Sequence, residues 1–374
     1  MIGNDAGGNT AITLVGHPFS PSGRGEDVRS AYRALQEVGI AARLLDLHGQ
    51  VSPDRQARHE FGDALATQPS GLNLYFINGD EVEGALARLG GLPAHARNIL
   101  YPAWELPTYP EKWHPWLALF DEIWAPSRFI ARSLANFHAR PVHLRSLPCQ
   151  VRLTRLYDRR HFGIPDGAYC FLFFFDFKSF VCRKNPFAAI DAFCNVLQAR
   201  PTADTRLIIK AHGASEDADS EQVKQIRQLA NIQPRVMLIE GTMSDEETKN
   251  LVRLADCFVS LHRAEGFGRG MAEAMSLAKP VIATAYSGNM DFMNPENAFC
   301  VDYALTAVRE GEYPEWEGQS WADPDVDQAA QHMASLVDDP ALGRSMGRAA
   351  RRDALLSLGY LASGLRYRDA LAAP

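Results

Sequence analysis

Two acidic residues flank a glycine-rich stretch in the segment HRAEGFGRGMAEAM, residues 262–275. Glu265 and Glu273 are eight positions apart, and the pattern indicates that a helix begins between them. Amide groups at the start of a helix attract anions, and glycines let a ligand approach the backbone closely. A carboxylate has two acceptor oxygens and can bind two neighbouring hydroxyls. The segment therefore predicts a site for a ligand with a central diphosphate and a diol on each side, as in a nucleotide sugar.

The residues of this segment divide between the two parts of such a ligand. Glu265 is predicted to bind the sugar and Glu273 the ribose, while Gly266, Gly268 and Gly270 bring the phosphates to main-chain amides. Periodicity alone favours a simpler alternative, a surface loop followed by an ordinary amphipathic helix with three core residues, Met271, Ala274 and Met275.

A pair of cations stands at another helix entrance, in the segment FFFDFKSFVCRKNPFAAIDAF, residues 173–193. Arg183 and Lys184 follow a predicted strand, and Asn185 and Pro186 are the residue types preferred at the N-cap and the first helical position. Positive side chains beside the amides of a helix start would form a phosphate site. The alternative is a solvated basic pair.

The elements that must carry these residues alternate along the chain. In the first half the predicted strands are AITLVG (11–16), ARLLDL (42–47), LNLYFI (72–77), NILYPA (98–103), EIWAPS (122–127) and PVHLRS (141–146). In the second half they are CFLFFFDF (170–177), RLIIKA (206–211), RVMLIE (235–240), CFVSLH (257–262) and PVIATA (280–285).

Helical patterns lie between these strands. Val28, Ala31, Leu35 and Val38 recur at helical spacing, and Gly39 is predicted to end their helix. A second helix is predicted from Ser244 to Leu254, where Ser244 and Glu247 have the spacing of a capping box. Strands that alternate with helices predict parallel sheets, and thus an α/β protein with two Rossmann-like domains in tandem.

The predicted domains are residues 1–150 and 151–350, followed by a C-terminal helix, 351–374, that packs back on the first domain. The arginine-rich segment 151–167 ends in a Pro-Asp-Gly turn signal and is interpreted as the passage between domains. After Val326 the chain is predicted to be helical to its end.

Composition excludes several classes of protein. The chain has 374 residues, 46% hydrophobic and 22% charged, which is typical of a globular protein. Its net charge of −7 argues against a nucleic-acid partner. No apolar run approaches the ~20 residues that cross a bilayer, and no secretion signal is recognisable, so we expect a cytoplasmic protein. The six cysteines are scattered and are interpreted as reduced thiols.

The residues described above carry a resemblance to a known family. The run EGFGRGMAEAMSLAKPVIATAYSGN, residues 265–289, resembles the Glu-x7-Glu signature of retaining GT-B glycosyltransferases of the family 4 type. The segments FDFKSFVCRKNP and WADPDVDQAA (321–330) resemble a subgroup of the same family. The resemblance spans most of residues 151–335, whereas the first half matches only in general layout.

The resemblance implies a GT-B fold, in which two Rossmann-like domains face each other across a cleft. It implies that Arg183 and Lys184 neutralise the donor diphosphate, with help from the amides of Phe267 and Gly268 and a third cation, Lys178. The resemblance also implies that Glu265 binds the sugar and Glu273 the ribose. Gly266 and His262 are further candidate ligand-binding residues of the same segment. Catalysis would be electrostatic, without a protein nucleophile, a metal ion or a cofactor.

The first half offers weaker candidates. In HPFSPSGRGEDVR (17–29) the glycines Gly23 and Gly25 could contact diphosphate or acceptor, or form a plain flexible turn. In YPAWELPTYPEKWHPW (101–116) the aromatic side chains suit sugar rings, and Trp104 and His114 are candidates. Relatives often have a histidine near this place, and its nearest equivalent is Trp104-Glu105. Glu105 is therefore a candidate catalytic residue, with a buried structural carboxylate as the alternative.

Other patterns are set aside. The acidic pairs at 217–219 and 325–327 lie in loop or helix-start contexts and are interpreted as solvated charge. His262 and Glu265 could share a metal ion, but no further ligands cluster near them, so no metal is predicted. The stretch G-F-G-R-G is not the dinucleotide fingerprint.

The sequence thus predicts a retaining, metal-independent hexosyltransferase of polysaccharide or glycan biosynthesis. Its donor would be a UDP- or GDP-linked sugar, and its acceptor a saccharide or a lipid-linked glycan. Contact with the inner face of a membrane is compatible with this class, although no basic amphipathic helix indicates it. The alternatives are a non-catalytic nucleotide-sugar-binding subunit and a GT-B epimerase.

Overall fold

The computed structural model describes residues 12–47, 55–213 and 220–372. Over these ranges it contains two parallel sheets of six strands each and a two-stranded antiparallel sheet. The first sheet comprises Ile12–Gly16 (β1), Ala42–Asp46 (β2), Leu72–Tyr75 (β3), Arg97–Leu100 (β4), Glu122–Ala125 (β5) and Val142–Leu144 (β6). The second comprises Tyr169–Asp176 (β7), Thr205–His212 (β8), Val236–Glu240 (β9), Cys257–Ser260 (β10), Val281–Thr284 (β11) and Phe299–Val301 (β12).

Helices lie between most consecutive strands, as the alternating pattern predicts. In the first half they are Gly23–Glu37 (α1), Arg55–Phe61 (α2), Val82–Leu89 (α3), His114–Leu117 (α4) and Arg128–Ser133 (α5). In the second half they are Val181–Lys184 (α6), Pro186–Ala199 (α7), Glu221–Ile232 (α8), Asp245–Leu254 (α9), Arg269–Ser276 (α10), Val326–Asp338 (α11), Pro340–Leu358 (α12) and Tyr360–Ala372 (α13).

The first sheet has the strand order β2-β1-β3-β4-β5-β6. Leu14 of β1 lies opposite Leu44 of β2 and Leu74 of β3, and all three side chains are buried. Because helices cover a parallel sheet on both faces, the inner strand β1 is buried along its whole length. The predicted first helix is confirmed as α1, in which Val28, Ala31 and Leu35 are buried.

The second sheet has the order β12-β11-β10-β7-β8-β9. Its core contains Phe171 and Phe173 of β7, Val259 of β10 and Ile282 of β11. The helices α7 and α11 contribute buried residues to the same core. The predicted capping box is confirmed: Ser244 accepts from the amide of Glu247, and the Glu247 carboxylate accepts from the amide of Ser244.

One local prediction needs correction, and one strand pair was not predicted. Asn185 precedes α7, but its backbone is left-handed, with φ of 55°, and its side chain caps nothing. That side chain instead donates to the carbonyl of Leu261, 3.0 Å away, so it joins two loops.

The antiparallel sheet is formed by a strand pair that we did not predict, Tyr303–Ala307 (β13) and Ser320–Pro324 (β14). Of the two acidic pairs, 217–219 lies outside the described residues, and Asp325 is the N-cap of α11.

The chain divides into two compact units. The first contains residues up to Trp104, Tyr109–Pro148 and the residues from Leu358 onward. The second contains Glu105–Thr108 and Cys149–Ser357, so the arginine-rich segment 151–167 belongs to it. Within the first unit, Tyr367 of α13 donates to the hydroxyl of Tyr101, 3.2 Å away. Over the described ranges, the structure contains no helix that is both long and apolar enough to cross a membrane.

Candidate active site

The candidate site lies where the order of the second sheet reverses. From β7 the chain builds β8 and β9 on one side, and β10 then pairs with the other side of β7. In open parallel sheets, ligands bind at the carboxyl ends of the strands at such a switch point. The loop after β7 carries Arg183 and Lys184, and the loop after β10 carries Glu265. Parallel pairing therefore brings the two candidate segments together.

Hydrogen bonds join three neighbouring loops at this edge. The amide of Arg263 donates to the carbonyl of Arg183 at 2.8 Å, which links the loops after β7 and β10. The amide of Glu265 donates to the hydroxyl of Ser287, and the amide of Gly288 donates to the carbonyl of Glu265, both at 2.8 Å. The loop after β11 is thus attached to the loop after β10, and the backbone of Glu265 is fixed on both sides.

The carboxylate of Glu265 contacts both predicted cations. Lys184 donates from Nζ to Oε1, and Arg183 Nη1 lies 3.3 Å from Oε2. Arg183 also donates from Nη1 to the carbonyl of Ala264 at 2.9 Å. Arg183 is 4% exposed and Glu265 9% exposed, so this ion-pair network is largely withdrawn from water.

Burial and charge act in opposite directions on these groups. Burial disfavours the ionised form of Glu265, but the charges of Lys184 and Arg183 outweigh it and lower the pKa of the carboxyl to about 2. For Lys184, burial outweighs the attraction of Glu265 and lowers the pKa of the ammonium. For Arg183, the carboxylates of Glu265 and Glu105 outweigh burial and raise the pKa. Glu265 is therefore held ionised beside two cations.

Glu105 lies at the same site, although the first half of the sequence supplies it. Its Oε1 is 3.9 Å from Nη2 of Arg183, and its Oε2 accepts from the hydroxyl of Tyr313 at 2.5 Å. The ring of Tyr313 lies under the guanidinium of Arg183, with 5.9 Å between the ring centroid and Cζ. Nε of Arg183 is buried and has no hydrogen-bond partner among the described residues.

His262 is fully buried and both of its ring nitrogens are engaged by protein atoms. Nδ1 lies 3.0 Å from the hydroxyl of Ser260, and Nε2 lies 3.1 Å from Oδ1 of Asn289 and 3.2 Å from the carbonyl of Tyr286. Burial lowers the pKa of His262 and favours the neutral ring. His262 therefore joins the loops after β10 and β11, and its contact with a ligand stays a prediction.

The glycine-rich turn leads directly into α10. Gly268 is the N-cap residue, and its φ of 92° is a conformation that other residues rarely adopt. Gly266 and Phe267 are buried, and the ring of Phe267 packs 5.4 Å from that of Phe292. Glu273 is buried within α10, one and a half turns beyond Gly268. Lys178 belongs to the 3-10 helix Phe177–Ser179, but its side chain lies outside the described part of the structure.

The candidates in the first unit have a different environment. Gly23 is exposed, whereas Gly25 is buried, and a Cβ added there would lie 2.2 Å from the carbonyl oxygen of Ser20. Trp104 is buried, with ring centroids 5.7 Å from Tyr109 and 5.3 Å from Trp113. Its face packs in an aromatic cluster and does not form an open platform for a sugar.

Sequence reasoning missed two groups of residues at the site. Ser287 and Asn289 belong to the segment that carries the resemblance, and their position directly after a strand end was the signal that could have identified them. Tyr313 had no such signal, because it lies in the loop of the β13–β14 hairpin. Over the described ranges, no cluster of three or more metal-binding side chains occurs.

The arrangement can bind an anion and hydroxyl groups together. Two cations and the starts of α7 and α10 provide positive potential, and neither helix has an acidic residue in its first turn. Glu265 and Glu273 are buried carboxylates that can accept hydrogen bonds from hydroxyls.

Comparisons of the structure define the class of protein. HepE of Anabaena, solved in complex with UDP and glucose, superposes with a TM-score of 0.67 at 13% identity, covering 98% of this chain and 100% of that one. Sucrose-phosphate synthase from Thermosynechococcus elongatus gives 0.67 at 17% identity, with the same coverage. A glycosyltransferase from Rickettsia africae gives 0.67 at 13% identity, covering 97% of this chain and 98% of that one. The protein is an α/β protein with the two-domain GT-B fold.

The family follows from the sequence of the second half. A model of the family described as glycosyl transferases group 1 matches residues 159–353, more than half of the chain. The chain belongs to the group 1 glycosyltransferases. No curated protein matches it in sequence.

Proposed function

We propose that this group 1 glycosyltransferase is a retaining, metal-independent enzyme that transfers a hexose from a nucleotide diphosphate sugar. The observation that carries the proposal is the meeting of Arg183 and Lys184 with Glu265 at the switch point of the second sheet. The donor diphosphate would bind the two cations, and the sugar would bind the carboxylate. Glu273 would hold the ribose, and Lys178 and the amides of Phe267 and Gly268 would add donors for the phosphates.

Binding of a diphosphate must rearrange the ion pairs. Lys184 and Arg183 now contact Glu265, so phosphate oxygens would compete with its carboxylate for the same donors. Released from this contact, the carboxylate would be available for sugar hydroxyls. While the carboxylate is paired with the two cations, its pKa of about 2 keeps it ionised throughout the neutral range. After this exchange the two cations would still have an anionic partner, the diphosphate, and Glu265 would bind the sugar.

The chemical step would depend on stabilising the departing diphosphate. As the bond from the anomeric carbon to the phosphate oxygen breaks, negative charge grows on that oxygen, beside Arg183 and Lys184. Fixed cations in a water-poor site stabilise such charge more in the transition state than in the ground state. A phosphate oxygen would accept the proton of the attacking hydroxyl, so no protein nucleophile is needed. Glu105, held beside Arg183, is the candidate catalytic carboxylate from the first half.

The donor and acceptor classes are proposed more broadly. HepE is solved with UDP and glucose, and this likeness supports a UDP-linked donor, with a GDP-linked sugar as the alternative to be tested. The acceptor would be a saccharide or a lipid-linked glycan, as expected in polysaccharide biosynthesis. We expect the enzyme to act in the cytoplasm, at or near the inner face of the membrane.

Product analysis with single donors tests the proposal. Purified protein is incubated with UDP-glucose, UDP-galactose or GDP-mannose, each with a panel of saccharide acceptors and with EDTA. We expect one donor to release its nucleoside diphosphate and to yield a glycoside with the anomeric configuration of the donor, measured by proton NMR. An inverted product would contradict retention, and a requirement for a divalent ion would contradict metal independence.

The same experiment separates the alternatives. A non-catalytic subunit would bind a donor without transfer or slow hydrolysis, and an epimerase would convert the donor in the absence of any acceptor. Thermal unfolding identifies the donor beforehand, because a ligand at 100 times its dissociation constant adds ~2.7 kcal/mol of stability.

A further inference from the structure

Tyr313 is a buried aromatic residue in a loop that is largely exposed. It lies between β13 and β14 and is 6% exposed, whereas Gly311 and Pro314 are exposed. Its ring centroid is 4.7 Å from that of Phe180 and 5.9 Å from Cζ of Arg183. A guanidinium within about 6 Å of a ring centroid is attracted to the face of the ring. The loop thus places one side chain directly against the Arg183 guanidinium.

The hydroxyl of Tyr313 also acts on this guanidinium indirectly, through Glu105. It donates to Oε2 of Glu105, while Oε1 of Glu105 lies 3.9 Å from Nη2 of Arg183. A hydrogen bond to an ionised carboxylate is stronger than one between neutral groups and fixes the carboxylate's rotamer. Glu105 is therefore held in the orientation that faces Arg183.

The same hairpin loop also anchors the segment that carries Glu105. Gln319 donates from Nε2 to the carbonyl of Thr108 and accepts at Oε1 from the amide of Thr108, both at 3.1 Å. Glu105–Thr108 belongs to the second unit, in company with this hairpin. Two attachments three residues apart leave the short segment little freedom to move away from Arg183.

We propose that Tyr313 is a positioning residue, which holds the Arg183 guanidinium directly through its ring and indirectly through Glu105. Arg183 is otherwise held by the carbonyl of Ala264 and the carboxylate of Glu265, on Nη1. Tyr313 packs against the guanidinium and Glu105 faces Nη2 at 3.9 Å, while Nε has no hydrogen-bond partner among the described residues. The kinetic consequence of this role rests on the proposed function, in which Arg183 stabilises the departing diphosphate.

Positioning of this kind matters most in the transition state. A cation that already has the required orientation stabilises developing charge without reorganising during the reaction. If Arg183 samples several orientations, the donor still binds through Lys184 and the helix starts, but the chemical step slows. Loss of the Tyr313 hydroxyl should therefore lower kcat more than it changes KM.

The kinetic test uses Tyr313→Phe, which keeps the ring and removes only the hydroxyl. We expect kcat to fall about 10-fold, because a hydrogen bond to a charged group is lost, and the donor KM to change less than about twofold. Tyr303→Phe is the matched control, because it removes the hydroxyl of an exposed tyrosine on β13, and it should behave as wild type. An unchanged kcat, or a loss confined to KM, would overturn the proposal.

A double variant distinguishes positioning from a general structural effect. In an Arg183→Lys background, which removes the planar guanidinium, Tyr313→Phe should lower kcat by less than about twofold further. If Tyr313→Phe causes the same factor in both backgrounds, the tyrosine does not act through Arg183.

A third measurement does not depend on turnover. The Nε–H of Arg183 is buried, and its NMR signal is identified by its loss in Arg183→Lys. We expect Tyr313→Phe to speed exchange of this proton with solvent by about 10-fold, since the guanidinium gains mobility. Unchanged exchange would overturn the positioning role even in an active enzyme. Faster exchange in a protein that turns over no nucleotide sugar would support the role and refute the proposed function alone.

Discussion

The two sheets each have a switch point, and they use it differently. In the first sheet, β2 and β3 lie on opposite sides of β1, and His17 after β1 meets Glu81 after β3 at 2.9 Å. In the second sheet, the corresponding loops bring Arg183 and Lys184 against Glu265. Topology thus creates a meeting of two loops in both units, but the meeting pair is a histidine and a carboxylate in the first unit, whereas a carboxylate meets two permanent cations in the second. Residue type thus determines the charge that each switch point presents.

The helices at the two places reinforce this difference. Glu26, in the first turn of α1, and the following residue Asp27 are both buried, and Glu26 pairs with Arg29 at 2.9 Å. Asp27 pairs with Arg24 at 3.1 Å. The start of α1 therefore already has its own anions. Because α7 and α10 have no acidic residue in their first turns, their dipoles remain available to an external anion. This contrast weakens the interpretation of Gly23 and Gly25 as diphosphate contacts.

The largest expected effect is the loss of enzyme activity when a cation of the second switch point is removed. Lys184→Met removes the ammonium that contacts Glu265 and should lower kcat/KM by at least ~100-fold, the scale of losing one electrostatic catalytic contact. The initial rate of nucleoside diphosphate release measures the effect. The control is Lys224→Met, at an exposed lysine of α8, which should leave the rate unchanged. A loss of less than about threefold at Lys184 would end the assignment of the cation pair.

The second effect is on stability in acid. A carboxyl whose pKa is about 2 in the folded protein, against 4.5 as its ordinary value, stabilises the fold above pH ~4.5. That contribution, at most about 3 kcal/mol, is lost as the pH falls through 4.5 toward 2. The free energy of unfolding, measured by urea denaturation, should therefore decline less steeply in Glu265→Gln than in wild type.

A substitution at an exposed glutamate is the control for this pH dependence of the free energy of unfolding. Glu310→Gln alters an exposed residue and should leave the decline between pH 5 and 2 as steep as in wild type. If Glu265→Gln also leaves it unchanged, the ion-pair network of the second switch point does not exist in solution.

The smallest effect concerns packing at the first switch point. Gly25→Ala would place a methyl group 2.2 Å from the carbonyl oxygen of Ser20, and should lower the free energy of unfolding by about 1–3 kcal/mol. Gly23→Ala meets nothing within 4 Å and should leave it unchanged or raise it by up to about 1 kcal/mol. Equal effects of the two substitutions would show that the turn before α1 is loose, and would revive its interpretation as a flexible ligand loop.

Much of this protein was predictable from local sequence. Strands and helices alternate where the apolar runs and periodicities predict them, and the capping box at Ser244 forms as its spacing requires. The cations Arg183 and Lys184 and the carboxylate of Glu265 could be named, because each follows a strand end, where ligands of parallel sheets bind. These features depend on neighbours in sequence, so a short window contains the information.

Only the tertiary structure decided which of these residues meet. Lys184 and Glu265 are 81 positions apart, and Tyr313 and Glu105 are 208 apart. Their contacts follow from the order of the strands and from the unpredicted β13–β14 hairpin, and no local pattern encodes either of them. His262 likewise looks like a free strand-end ligand in sequence, whereas the fold buries it between two loops. The chemistry of a side chain is a property of the residue, but the partners of that side chain depend on the topology of the fold.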